Sequence, residues 1–588
     1  MGDHKLEILL AETAGFCMGV RRALKLTLDA ANDAASPRPI VTVGPLIHNR
    51  QVLEVLEDKG VAALEGDAAK GMGTAIIRAH GATPKDYERI ARCSERVIDA
   101  TCPHVRKVQK IAERYCAEDY SCVVVGDHGH AEVEGVLSHT GGRGIVVSRP
   151  EDVDSLPAMD KVVVVAQTTQ DEEVFARATE RLRHRYPGCL VFDTICRSTQ
   201  ERQAEAKRMA QQVEVMVVVG GLNSANTRRL AQICSDAGTP TFHVEADWQL
   251  DVDRLLHYRR VGVTAGASTP HWMIRRVIRK LRSEYDRRRR SPSYILRLIL
   301  AGPIRANVFL GGGAAALTFA NWHLMPLKAG PLGLAMSLAF FFIMAQHLLS
   351  QYAKRSVMYL SDPDKGEFFR ANAGVIWLLG VSCCALAAFL AFLLGWIPFV
   401  LVLAGTAAGL LYRFEFGRRI GPSLHVGSLE QLPGSKELFV ALAWGVTTAL
   451  IPALAAGGPN VRWRGVAVAI AFAFLLSFHR TLLTDMRDVE SDQLVGRETL
   501  AGMLGERACK GVLVGVLGAE AMLVAGLGGL LGWTSAISYG MLIPVGYSAV
   551  CSWMFHRGRL PEAELGEALV DSKFYACGLV ALIYRALS

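Results

Sequence analysis

Across residues 1–290 the hydrophobic positions come in short runs. Those at Glu7–Leu10, Ile40–Val43, Thr74–Ile77, Cys122–Val125, Lys161–Ala166 and Val213–Val219 read as strands. Each is followed by a stretch with apolar residues three and four apart, the spacing of one helix face. Short buried strands alternating with such helices predict α/β units with mainly parallel sheets. The pattern changes from residue 304. Uncharged runs fill 306–327, 329–353, 371–412, 438–461 and 465–479, and 511–556 is broken only by Glu520. Crossing a bilayer takes about 20 such residues. We therefore expect about nine spans, at 304–322, 331–350, 373–394, 397–412, 438–456, 464–483, 511–530, 534–554 and 569–587. The fold expected is a soluble α/β half followed by an all-α polytopic membrane half.

Lysine and arginine are unevenly shared among the loops of that second half. With the N-terminus inside, the inner loops hold Lys354, Arg355, Lys365, Arg370, Arg413, Arg418, Arg419, Lys436, Arg487, Arg497, Arg507, Lys510, Arg557 and Arg559. The outer loops hold little beyond Lys328 and Arg462. This bias predicts a multi-pass protein of the cell (inner) membrane with its N-terminal half in the cytoplasm. No signal peptide is expected, because Met1-Gly2-Asp3-His4-Lys5 is polar and the apolar run after it is short.

Composition sharpens this picture. The 588 residues are 51% hydrophobic and 20% charged, and mean hydropathy is +0.24. That excludes intrinsic disorder and a small disulfide scaffold. Thirteen cysteines are too few for a disulfide framework at this length and point to a reducing compartment. The net charge of +8 is concentrated at Arg275, Arg276, Arg279, Lys280 and Arg287–Arg290. No aromatic or groove-reading element accompanies it, so nucleic acid is not the expected partner. A basic cluster just before membrane spans is expected to lie at an anionic leaflet.

Candidate chemistry sits in the loops after the strands, where open α/β sheets bind ligands. These loops read Gly15-Phe16-Cys17-Met18-Gly19-Val20, Ile47-His48-Asn49, Arg78-Ala79-His80-Gly81, Ala100-Thr101-Cys102-Pro103 and Gly129-His130-Ala131-Glu132. Further along come Gln167-Thr168-Thr169, Thr194-Ile195-Cys196, Asn223-Ser224-Ala225-Asn226 and Thr264 to Pro270, which includes Ser268. Cys17, Cys102 and Cys196 form no Cys-x-x-Cys pair, so spacing leaves open both metal ligation and packed thiols. His48, His80 and His130, with neutral donors at Ser224 and Asn226, suit an anion. Ser268 before Pro270 marks a helix start, which offers free N–H groups to phosphate.

The ordered series AGFCMGV, IHN, RAHG, DATCP, GHAEVEG, QTT, TIC, NSANT and TAGASTP resembles the 4-hydroxy-3-methylbut-2-enyl diphosphate reductase (LytB/IspH) family over about residues 5–285. The resemblance implies three α/β lobes around a 4Fe-4S cluster held by Cys17, Cys102 and Cys196, with one iron open for Lewis-acid chemistry. It implies reductive dehydroxylation of the (E)-4-hydroxy-3-methylbut-2-enyl diphosphate to isopentenyl and dimethylallyl diphosphate, in the non-mevalonate pathway. Glu132 would be the acid, and His48, His80, Ser224, Asn226 and Ser268 would clamp the diphosphate. His130 would orient Glu132 and contact substrate, and Thr168 would lie near its hydroxyl. An external one-electron donor of ferredoxin or flavodoxin type is implied. Ala225 departs from members that carry serine there.

In the membrane half, Asp485, Asp488 and Asp492 fall at i, i+3 and i+7, one helix face. Spacing alone leaves a solvated acidic face open. The segment 484–500 resembles the second aspartate-rich motif of UbiA-type intramembrane prenyltransferases. That implies Mg²⁺ bridging carboxylates and a prenyl diphosphate, which transfers its prenyl group to an unnamed acceptor. The corresponding first motif falls on Asp362 and Asp364, where serine replaces the usual asparagine and the carboxylates are closer together. Lys436 and Arg413 are candidate diphosphate contacts. The alternative is a catalytically degenerate anchor that localises the reductase. The expected domains are 1–285, a basic juxtamembrane linker 286–303, and 304–588.

Overall fold

The chain, in this computed structural model, divides into two compact units, Met1–Arg289 and Arg290–Ser588. The structure describes residues 5–33, 35–47, 49–64, 71–327, 330–353, 355, 358, 362–412, 434–457, 461–495, 499–530, 536–561 and 563–587.

In the first unit, β1 (Glu7–Leu10) and α1 (Met18–Asn32) come first. Next are β2 (Ile40–Val43), α2 (Arg50–Asp58), β3 (Val61–Leu64), β4 (Met72–Ile77), α3 (Pro84–Cys93) and β5 (Ser94–Asp99). Helix α4 (Pro103–Ala117) leads to β6 (Ser121–Val125), α5 (Ala131–Ser138), β7 (Gly144–Val147), β8 (Val162–Ala166), α6 (Glu172–Arg185) and β9 (Leu190–Phe192). Helix α7 (Arg197–Ala210) leads to β10 (Val215–Val219), α8 (Ala225–Asp236), β11 (Thr241–Val244), α9 (Val252–Leu255), β12 (Arg260–Ala265) and α10 (His271–Arg289).

The strands form three four-stranded sheets, ordered β1-β12-β10-β11, β3-β2-β4-β5 and β7-β6-β8-β9. Every pairing is parallel. The inner strands are nearly continuous valine. Val123 lies beside Val164 and Val217 beside Val263, and all four are fully buried. Such runs belong to parallel sheets covered on both faces. The first strand pairs with the last, so the first lobe is completed only when the chain returns from the other two.

The second unit is helical. Among the described residues five helices are long and apolar enough to cross a membrane: Leu332–Ala353, Ala373–Leu394, Ser435–Ala456, Trp463–Arg487 and Leu500–Gly526. A bent pair, Tyr294–Arg305 and Val308–Leu324, turns by 77° and would make a sixth. Among the described residues the expected count of about nine is not confirmed. Trp396–Leu411 has 16 residues and Leu542–His556 has 15, roughly 24 Å and 22 Å of helix against about 30 Å of hydrocarbon. Ala563–Leu587 carries Glu564, Glu567, Asp571, Lys573 and Arg585.

Small residues set the helix packing of this unit. A Cβ on Gly578 would lie 2.9 Å from the Ala316 Cβ, and one on Gly313 would lie 3.2 Å from the Phe574 Cβ. Close backbone approach of this kind is how helices associate where lipid removes the hydrophobic drive. Trp444 stacks on Phe574 with centroids 4.2 Å apart. Outward, Val375, Leu378, Phe392 and Trp396 are exposed, as apolar side chains are where the solvent is lipid.

Candidate active site at the meeting of three lobes

The three sheets repeat one device. Cys17 follows β1, Cys102 follows β5 and Cys196 follows β9, each an edge strand. Each cysteine is the N-cap of the helix that leaves its lobe: α1, α4 and α7. Each backbone N–H donates to the loop after the neighbouring strand. Cys17 donates to the Ala267 carbonyl (3.1 Å), Cys102 to Ala79 (2.9 Å) and Cys196 to Thr168 (2.9 Å). Those loops carry Ser268, His80 and Thr168 itself. Asp99 and Asp193 add a second repeat three residues before a cysteine. Their carboxylates accept from the N–H groups of Thr101 (2.9 Å) and Ile195 (3.0 Å), the Asx turn that delivers the thiol.

The thiols are brought together. A Cβ on Gly19 would lie 2.7 Å from the Cys102 Sγ and 3.9 Å from the Cys17 Sγ, so a residue without a side chain is needed between them. Burial pushes the Cys102 and Cys196 thiols up, helix-start N–H groups oppose this, and the neighbouring Cys17 thiol adds to it. Three half-buried sulfurs, each at a positive helix end, suit a ligand that draws thiolate charge. Among the described residues no trio of His, Cys, Asp or Glu is placed to hold a single metal ion.

Glu132 lies in the first turn of α5 and is 2% exposed. Thr168 holds both of its oxygens: N–H to Oε1 at 2.6 Å and Oγ1 to Oε2 at 2.8 Å. Burial raises its pKa to about 7 against these stabilising bonds, with Asp127 adding to the rise. His130 caps α5 through Nδ1, which accepts from the Glu132 N–H at 3.2 Å. His80 and His130 meet edge to face with centroids 5.6 Å apart. A chain of contacts thus runs from acid to Thr168 to Cys196.

Ser224 caps α8, and Asn226 in its first turn is buried, with no partner for Nδ2 among the described residues. A buried amide N–H₂ of this kind calls for an acceptor. Ser268 is buried, and its carbonyl accepts from Asn49 Nδ2 at 3.2 Å. Asn49 also caps α2. His48, beside it, lies outside the described residues.

Sequence reasoning missed the residues that hold these loops. Arg202 is buried and donates to the Ala265 (2.7 Å) and Gly15 (3.0 Å) carbonyls, joining loops on either side of Cys17 and Ser268. Arg22 donates to the Thr101 carbonyl (3.1 Å), and Arg229 to that of Thr169 (2.9 Å) while pairing with Asp127 (3.1 Å). Gln167 Oε1 accepts from the Asp127 N–H at 2.8 Å. Arginine on a helix normally reads as solvated charge. Arg202, between Glu201 and Gln203, gives no sequence signal of its burial.

In the helical unit, Asp485 is buried on Trp463–Val495 and ion-pairs with Lys436. Asp362 caps Pro363–Ala371 through the Lys365 N–H at 3.3 Å. Asp364, Asp488 and Asp492 lie on helical backbone, their side chains outside the description, and Arg413 lies outside it altogether. One carboxylate joins both aspartate segments: Glu567 accepts from Lys365 (3.0 Å) and from Arg487 (3.4 Å). One turn on, Asp571 pairs with Arg480 at 2.5 Å.

Fold and site together define a three-lobed α/β unit centred on cysteines, joined to a helical membrane unit. The family model described as LytB protein matches residues 8–282, and that of the UbiA prenyltransferase family matches 370–565. The chain is 44% identical over 285 residues to 4-hydroxy-3-methylbut-2-enyl diphosphate reductase of Geobacter sulfurreducens, covering 48% of this chain and 100% of that one. A solved structure of (E)-4-hydroxy-3-methyl-but-2-enyl diphosphate reductase is 38% identical with a TM-score of 0.38, over 47% of this chain and 99% of that one. A UbiA homolog from Archaeoglobus fulgidus, solved with GPP and Mg²⁺, is 15% identical with a TM-score of 0.36, over 48% of this chain and 98% of that one. The chain belongs to the LytB family, with its LytB domain fused to a UbiA prenyltransferase domain.

Proposed function

We propose that residues 1–285 catalyse reductive dehydroxylation of (E)-4-hydroxy-3-methylbut-2-enyl diphosphate. The observation that carries this is the convergence of three N-capping thiols on a buried carboxyl, Glu132, within a family of that activity. Cys17, Cys102 and Cys196 would hold a 4Fe-4S cluster, which when bound supplies electrons one at a time and an open iron acting as a Lewis acid. The protein groups do the rest. Ser224, Asn226 and Ser268, at helix starts, would bind the diphosphate together with His80 and His48. Thr168 fixes both oxygens of Glu132, so its proton points from a constant place. Glu132, protonated below about 7, gives that proton to the hydroxyl, and the C4–O bond breaks with release of water. Two electrons enter, and a second proton adds to either end of the allyl fragment. Alcohol, two electrons and two protons thus become isopentenyl or dimethylallyl diphosphate and water. The test is Glu132→Gln, which should bind substrate and keep its iron while turnover collapses. A near-normal rate removes Glu132 from the acid role. Cys102→Ser with full iron content and turnover would remove that ligand.

For residues 304–588, after the linker 286–303, we propose Mg²⁺-dependent prenyl transfer. Asp485, Asp488 and Asp492 on one helix, with Asp362 and Asp364, would supply the hard oxygen ligands Mg²⁺ takes. Lys436, paired with Asp485, would contact the diphosphate. The reductase unit faces the cytoplasm at the inner membrane. Asp485→Ala should abolish transfer of a labelled prenyl diphosphate to lipid-soluble acceptors. Transfer that survives loss of both Asp485 and Asp488 would refute the mechanism and favour an anchor.

A further inference from the structure

Helices α1, α4 and α7 share with α2, α8 and α10 a first turn without acidic residues. First turns favour acidic residues, which complement the positive helix end. Helices α3, α5 and α6 obey, with Asp86, Glu132 and Glu134, and Glu172 and Glu173. The three helices that begin at the thiols have no acidic residue in the first turn. Helices α1 and α4 among them carry bases on their outward faces.

Arg21 and Lys25 on α1 and Lys107 and Lys110 on α4 are all exposed. The starts of the two helices touch, because Gly19 sits against Cys102 and Arg22 donates to the Thr101 carbonyl. The four basic residues therefore lie within about two turns of the touching helix starts, Lys25 also facing Asp29 on its own helix. Arg106, beside them, is set apart by its ion pair with Asp99. At the start of α1 stands Met18, next in the chain to Cys17 and 57% exposed. A large apolar side chain held in water beside a half-buried thiol, within a basic surround, is an apolar centre with a charged rim.

We propose that this surface is the docking site of an acidic one-electron carrier protein. The inference rests on the reductase reading, which needs two electrons delivered singly from outside. Electron-transfer encounters are small and brief. Complementary charge supplies their speed, raising association rates by roughly 10 to 1,000-fold at low salt. Met18 gives the contact a dry centre next to Cys17, and the lysines orient the partner. Nucleic acid and an anionic lipid surface share the charge preference, but neither delivers electrons.

The experiment uses the full chain in detergent, loaded with its cluster, and two reductants. One is a reduced ferredoxin of acidic surface. The other is dithionite with methyl viologen, a small cation that needs no dock. In Lys25→Glu/Lys107→Glu/Lys110→Glu the ferredoxin-driven kcat/KM should fall at least tenfold at about 50 mM salt, and the gap should narrow to about twofold at 0.5 M. The viologen-driven rate should stay within twofold of the parent. Lys25→Gln/Lys107→Gln/Lys110→Gln should fall between parent and reversal. An unchanged ferredoxin rate overturns the proposal, as does an equal loss with both reductants in the glutamine and glutamate variants alike. No viologen-driven turnover in the parent would instead defeat the reductase reading.

Discussion

Replacing Glu132 by glutamine should stabilise the reductase unit above neutral pH while stopping its turnover. The carboxyl is 2% exposed and its pKa rises from 4.5 to about 7. The folded state therefore holds a proton that the unfolded state has released throughout that window. Stability falls as pH rises from about 4.5, and the whole penalty is present above about 7. At about 1.36 kcal/mol per pH unit, the interval from 4.5 to about 7 costs about 3 kcal/mol. Glutamine carries no charge to bury, and both Thr168 contacts can be kept with the amide oxygen facing the Thr168 N–H. The assay is calorimetry of the full chain in detergent, comparing parent and variant at pH 5 and pH 8. The first unit's transition should rise by about 5 °C at pH 8 and hardly at all at pH 5. An equal shift at both values, or a fall at pH 8, would refute the idea that a buried ionisable carboxyl is the cause.

Gly19→Ala places a Cβ 2.7 Å from the Cys102 Sγ. Bound iron per chain should drop by half or more, read by iron assay and visible absorbance. Arg202→Lys removes one of two carbonyl contacts from a buried cation. It should cost about 2 kcal/mol in urea unfolding and raise KM for the diphosphate more than it lowers kcat. Glu567→Gln takes away the carboxylate that Lys365 and Arg487 share. Prenyl transfer should slow roughly tenfold with a raised Mg²⁺ requirement, and Glu567→Asp should recover part of it.

The strands legible in the sequence were those whose burial leaves a clear mark. Val162–Ala166 and Val215–Val219 are fully buried and read at once as valine runs. Ser94–Asp99 and Leu190–Phe192 are edge strands with mixed exposure, and their composition says little. Yet Cys102 and Cys196 follow those two strands, so the least legible elements deliver the thiols. In the membrane half, hydrophobic runs marked a polytopic unit, and among the described residues helix length decided which of them pass as spans: Leu542–His556 has only 15 residues.

The chain's own pattern determined its α/β half, its membrane half, the order of its motifs and the kind of chemistry those residue types support. Only tertiary structure decided that Cys17, Cys102 and Cys196, far apart along the chain, share a centre. Only it showed that buried arginines tie their loops and that Glu567 spans two aspartate segments. The physical reason is range. Hydrophobic period and capping act over a few residues, whereas convergence depends on which sheet edges face one another, and that is set when three lobes pack.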